Sequence, residues 1–204
     1  MIIFRSQQDL IQYAEKFLNE KKKSLINDVG LCQNFGDEKY YQPAPFPALL
    51  YCFSIIDLLG ALSEGNAGKN AKSTEMAEKY MRRFMGYTKE QANLLQRVFR
   101  HKIVHLAQPN FVTKFENLRI AWQTINIGSE KHLELRKNLK GFLSDKFLKA
   151  HSDSKIEINS EFAVSIEFFK NDVISSIDKY LQQLKKETYL QDYFEEAIAE
   201  IFGV

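Results

Sequence analysis

The stretch that decides the fold is PAPFPALLYCFSIIDLLGALSEG, residues 43–65. From Ala48 to Leu62 it is apolar nearly all round, so a helix built from it has no broad polar face to give to water. Such a helix must be covered on most sides, which places it at the centre of a bundle or under a partner. Pro43, Pro45 and Pro47 suit the approach and first turn of that helix, where a missing N–H costs little. Asp57 interrupts the run. A buried carboxylate needs a partner, so Asp57 lies near an edge, is simply hydrogen bonded, or is paired with a cation.

Other helices follow outward from this one. Leu10, Ile11, Ala14, Phe17, Leu18, Leu25 and Ile26 recur at three- and four-residue steps, predicting a helix from Ser6 to about Asp28 with Ser6 as its cap. Lys21, Lys22 and Lys23 read as its solvated end, with phosphate contact as the alternative. Gly30 to Gln42 reads as a connector. SEGNAGKNAKS (63–73) is a loop by composition. Its GNAGK is not a phosphate-binding loop, because two residues rather than four separate the glycines and Asn70 follows Lys69. Ser73 is the expected cap of the next helix, whose early Glu75 and Glu78 and late Arg82 and Arg83 complement the helix dipole. Gly86 ends it. Thr88 with Gln91 is a capping-box pattern opening a fourth helix, which Pro109 closes.

After Pro109 the period changes. NLRIAWQTINI, HLELRK and KIEIN alternate and are rich in β-branched residues, predicting a small antiparallel sheet of two or three strands with GSEK as a turn. KNLKGFLSDKFLKAH reads as a short helix between them. Trp122 is expected to pack in the sheet, with an added recognition surface as the alternative. Helical spacing returns from Ser165 to about Glu187, and YLQDYFEEAIAEIF makes a last helix. The expected fold is mainly α: an up-and-down helical bundle over residues 1–204, with a β insertion at about residues 115–160 before the last long helix.

The 204 residues suffice to bury a core, and 45% hydrophobic with 26% charged residues marks a globular chain. A net charge of +2 does not advertise nucleic-acid binding, so any basic surface must be local. Cys32 and Cys52 are too few for a disulfide framework or a zinc site, which suits a reducing compartment. MIIFRSQQDL turns polar after a short apolar start, and no apolar run is expected to reach the roughly 20 residues of a membrane span. The expected location is the cytoplasm, with no membrane partner.

The fourth helix carries the chemistry. Gln91, Leu94, Leu95, Val98, Phe99, Ile103 and Leu106 spread over one face of a helical wheel, with His101 and His105 together at its margin. Arg97 lies beside them one turn earlier. Arg100 falls about 140° around from His105, so one ideal helix does not join them. Three readings are open. Histidines at i and i+4 can ligate zinc, but the zinc-protease pattern needs Glu where Lys102 stands, and His132 and His151 fall in the insertion. An ordinary wet helix face would mix acids with bases, yet no acid occurs between residues 91 and 115. A cationic face with two groups titrating near neutrality suits phosphate chemistry.

Arg100-His101-Lys102-Ile103-Val104-His105 resembles the R-x4-H motif of the HEPN superfamily, in which a polar residue follows the arginine. The apolar second helix with IIDLLGAL, the loop and the third helix resemble bacterial HEPN proteins over roughly residues 45–110. The resemblance implies a dimerising helical bundle whose motif helices meet in a composite cleft. It implies a metal-independent endoribonuclease, often a toxin or a defence or stress effector, that leaves a 2′,3′-cyclic phosphate. His105 would be the general acid or base, Arg100 would bind the scissile phosphate, and His101 would orient the site or share proton transfer. Lys102 and Arg97 would contact phosphate, and Asp57 would support the site from behind. No cofactor or metal is implied. The expected partners are RNA or nucleotide, a second copy of the chain, and an antitoxin or regulatory protein. The alternative is a non-catalytic HEPN module that binds nucleotide, RNA or a protein.

Overall fold

Ser6 caps the first helix: its Oγ accepts the N–H of Asp9 at 3.1 Å. The structure, a computed structural model, describes residues 4–34, 44–106, 112–125, 131–143 and 156–203. Helix α1 (Gln7–Gln33) runs past Gly30, so the expected connector begins later. It continues because Val29 and Gln33 are still buried and because Lys170 donates to Gln33 Oε1 at 3.2 Å. The lysine run therefore lies within the helix rather than at its end. Lys22 pairs with Asp178 at 2.6 Å, and Lys21 lies over the Phe17 ring.

Helix α2 (Pro45–Glu64) starts on its prolines and ends at Gly65, whose φ of 67° is the left-handed cap that glycine adopts without strain. Its buried side chains include Leu49, Cys52, Phe53, Ile55, Ile56, Leu59 and Leu62. Each large apolar group so buried contributes roughly 1.5–3 kcal/mol. Contrary to the sequence expectation, α2 is by length and composition long and apolar enough to cross a membrane, with a mean hydropathy of 1.7. Here 61% of that window is buried inside the bundle, because α1, α3 and the two C-terminal helices cover it. Gly60 permits the contact with α3 (Ser73–Tyr80): a Cβ there would stand 2.9 Å from the Met76 carbonyl carbon.

Ser73 does not cap α3. It is the first helical residue, Lys72 occupies the cap position, and no side chain makes a capping bond. A π turn (Met81–Met85) follows and ends at Gly86, φ 76°. Thr88 and Gln91 then form the expected capping box, with bonds of 3.1 and 2.9 Å. Helix α4 (Lys89–Leu94), a π turn (Leu95–Arg100) and α5 (His101–Leu106) form one continuous helical segment. The expected stop at Pro109 lies outside the described residues.

The insertion departs from expectation. It is a four-stranded mixed sheet in the order β1-β2-β4-β3, not an antiparallel sheet of two or three strands. β1 (Val112–Phe115) pairs antiparallel with β2 (Leu118–Ile125), β2 pairs parallel with β4 (Ile156–Ser165), and β3 (Leu135–Leu143) pairs antiparallel with β4. β4 takes an inner place because Phe162, Ala163 and Val164 are all buried, a run suited to cover on both faces. Lys137 to Leu143, expected as helix, belongs to β3. A bulge between Lys137 and Gly141, with Asn138 at φ 61°, breaks the two-residue alternation and leaves a helix-like spacing. Residues 144–151 and most of GSEK lie outside the described residues.

β4 leads directly into α6 (Ile166–Leu184), where Ser165 Oγ accepts the Phe168 N–H, and α7 (Thr188–Phe202) follows. The mostly helical fold thus carries a small sheet. The sheet packs on the motif segment: Phe99 meets Phe162 at 6.1 Å and Trp122 at 6.4 Å, while Trp122 also meets Phe46 at 5.6 Å. Trp122 is therefore a packing residue between α2, the motif segment and the sheet.

Candidate functional site

Leu94, Leu95, Val98, Phe99 and Ile103 are buried, as the wheel requires, and anchor the motif segment from both sides of its π turn. Gln91 is only half-buried, whereas Gln96 joins the buried face. The π turn admits an extra residue per turn, a winding often found at functional sites. Its last residue is Arg100.

Arg100 turns toward α2 and α3. Its Nε and Nη2 both donate to Asp57 Oδ2, at 3.2 and 2.8 Å. Nη2 also donates to Ser73 Oγ at 3.3 Å, and Nη1 to Thr74 Oγ1 at 3.5 Å. The pair is shielded, the Arg100 side chain being 16% exposed and that of Asp57 26%. Asp57 therefore takes the cation-paired option among those its burial allowed. Burial raises its carboxyl above the ordinary value, and the Arg100 hydrogen bonds and charge offset this only in part. Asp57 Oδ1 is buried and has no hydrogen-bond partner.

The histidines face elsewhere. His101 and His105 are exposed, and their rings meet edge to face with centroids 4.8 Å apart. Val104 beside them is 48% exposed. Partial desolvation first, then electrostatic repulsion from His105, Lys102 and Arg100, hold the His101 imidazole below its ordinary value. Lys102 is half-buried, and Arg97 is exposed with its guanidinium 5.6 Å from the Phe115 ring centre on β1. The structure thus brings His101 and His105 together and keeps Arg100 on another side of the same segment.

No family model matches this chain, and neither a curated protein nor a solved structure does.

Chemically, the arrangement offers an imidazole held below its ordinary value, a second imidazole in contact with it, and flanking cations with no acid between residues 91 and 115. Among the described residues, no group of three or more His, Cys, Asp or Glu side chains could hold a metal. His132 is not aligned with the histidine pair. Its Nδ1 accepts the Ser165 N–H at 3.1 Å and its Nε2 lies 3.3 Å from Asp172, so both nitrogens are engaged. His151 lies outside the described residues. Cys32 and Cys52 are free thiols, and burial pushes Cys52 up to about 12, far from a reactive thiolate.

Sequence reasoning missed Ser73 and Thr74. A Ser-Thr pair before a helical run reads as a cap, and no spacing rule links it to an arginine on another helix. It also missed Gln96, 2% exposed, whose amide nitrogen and oxygen have no hydrogen-bond partner.

Proposed function

We propose that this chain is a HEPN-type, metal-independent endoribonuclease that acts as a homodimer. The observation that carries the reading is the exposed His101–His105 contact on a segment that also bears Arg97, Arg100 and Lys102 and, from Gln91 onward, no acid. Cleavage by a neighbouring 2′-hydroxyl needs one group to take a proton, one to give a proton to the departing 5′-oxygen, and positive charge on the phosphorane. His105 is the general acid or base, and His101, in contact with it and held below the ordinary imidazole value, orients the site or shares the proton transfer. Arg100 supplies the charge, while Lys102 and Arg97 flank the path of the RNA backbone.

Arg100 is tied to Asp57 and turned from the histidines of its own chain. A second copy solves this: its histidines meet the Arg100 of the first. The proposed role is that of a toxin or of a defence or stress effector, restrained by an antitoxin or regulatory protein and working in the cytoplasm.

The test is cleavage of RNA by the purified protein in EDTA, giving a 2′,3′-cyclic phosphate end. His105→Ala must lose the activity; equal cleavage by both proteins overturns the proposal. Mixing Arg100→Ala with His105→Ala, each inactive alone, tests the shared site. If arginine and histidine come from different subunits, randomly mixed dimers regain about a quarter of wild-type activity, because half are mixed and each holds one intact site. A site contained in one chain regains none.

One observation favours a second reading, a non-catalytic module that binds nucleotide, RNA or a protein. The Arg100 donors are already engaged by Asp57, Ser73 and Thr74. RNA binding that depends on Arg97 and Lys102, without cleavage, would select it.

A further inference from the structure

The ion pair between Arg100 and Asp57 has a mechanical weakness. Both bonds end on one carboxylate oxygen, Oδ2. A guanidinium matched to two oxygens is fixed in its plane, whereas one forked onto a single oxygen can rock about it. The outer edge of the group, bearing Nη1 and Nη2, must be held by something else. In this fold the holders are Thr74 on Nη1 and Ser73 on Nη2. Both hydroxyls lie at the first turn of α3, and neither serves as that helix's cap. Gly60 sets how close α3 lies to α2, and so how close these hydroxyls stand to Asp57 and its arginine.

We propose that Ser73 and Thr74 are positioning residues for Arg100: they stop the guanidinium from rocking on Asp57 and fix the direction in which it presents its charge. This rests on the ribonuclease reading, in which that charge stabilises the phosphorane. Hydroxyls suit the role because they are neutral. They accept from Arg100 without cancelling its charge, as another carboxylate would. Each hydroxyl that accepts from Arg100 still has its own hydrogen to donate, which is compatible with an approaching phosphate. The Ser73 contact is the shorter and carries more of the constraint.

The experiment compares wild type, Ser73→Ala/Thr74→Val, the hydroxyl-preserving Ser73→Thr/Thr74→Ser, and Arg100→Ala. The hydroxyl-free variant should lower kcat about tenfold, the cost of two modest hydrogen bonds, while KM and the pH profile stay in place and the chain still folds. The hydroxyl-preserving variant should restore kcat. Wild-type kcat in the hydroxyl-free variant overturns the positioning role and leaves the ribonuclease reading standing. If wild type does not cleave RNA, or Arg100→Ala cleaves equally well, the ribonuclease reading fails instead. Side-chain nitrogen NMR of Arg100 then still decides the positioning: faster rotation of the guanidinium in the hydroxyl-free variant supports it, and identical spectra overturn it.

Discussion

Asp57 accepts two hydrogen bonds from Arg100 on one oxygen and leaves its other oxygen buried without a partner. Ionising this carboxyl in the fold is therefore costly. Its value is raised by burial, and Arg100 offsets that only partly. A carboxyl raised in the fold binds its proton more tightly there than in the unfolded chain. Its contribution to stability is therefore full below the unfolded value of about 3.9 and is lost as pH rises through the folded value. Asp57→Asn cannot titrate, so wild type should lose stability relative to it as pH rises across that window. Urea melts at a series of pH values measure this, and parallel curves would refute it. Asp57→Ala is different: it leaves the Arg100 charge without its partner and should cost about 1–3 kcal/mol.

Lys102 is among the charges that hold His101 down, after desolvation and His105. Lys102→Gln should therefore raise the titration midpoint of His101, followed by NMR of the ring protons. If His101 accepts the proton in RNA cleavage, the acid limb of the pH–rate profile should move to higher pH with it. A midpoint that stays put, or moves down, contradicts the electrostatic account.

His132 joins the sheet region to the start of α6. It accepts from Ser165 N–H and contacts Asp172, which also accepts the Tyr87 hydroxyl at 2.6 Å. His132→Ala leaves the N–H without its acceptor beside a helix start and should cost about 1–3 kcal/mol in a chemical melt. Hydrogen exchange should quicken first in the opening turn of α6. Tyr87→Phe should be milder, about 0.5–1.5 kcal/mol. An unchanged melt for His132→Ala would show that the contact contributes nothing.

Gln96 is buried with neither end of its amide bonded. Replacing it by leucine removes a desolvated polar group and keeps most of the volume. Gln96→Leu should stabilise by about 1–3 kcal/mol, which at roughly 2–4 °C per kcal/mol is a clear rise in Tm. A fall in Tm would mean that the amide finds its hydrogen bonds in solution.

Much of the helical framework was readable because its signals are local. The Thr88–Gln91 box, the proline start of α2 and the buried stripe through Leu94, Leu95, Val98, Phe99 and Ile103 each depend on residues a few positions apart. The strands were less readable. The bulge in β3 disturbs its alternation, so Lys137 to Leu143 carried a misleading helical spacing. The Ser73 cap failed for another reason: the hydroxyl had a partner on a distant helix. At the candidate site, spacing placed His101 with His105 and set Arg100 apart from them.

The sequence by itself determined that α2 must be enclosed, that the motif segment is a helix without acid from Gln91 onward, and that its two histidines share a side. These follow from hydrophobic periodicity and charge, which act within a few turns of chain. Only the tertiary structure decided that β4 lies between β2 and β3, that Asp57 is the partner of Arg100, and that Ser73 and Thr74 hold the guanidinium's outer edge. Strand order and ion pairing join residues far apart in the chain. Their outcome depends on which surfaces the packed helices bring within hydrogen-bond reach, and no local pattern encodes that.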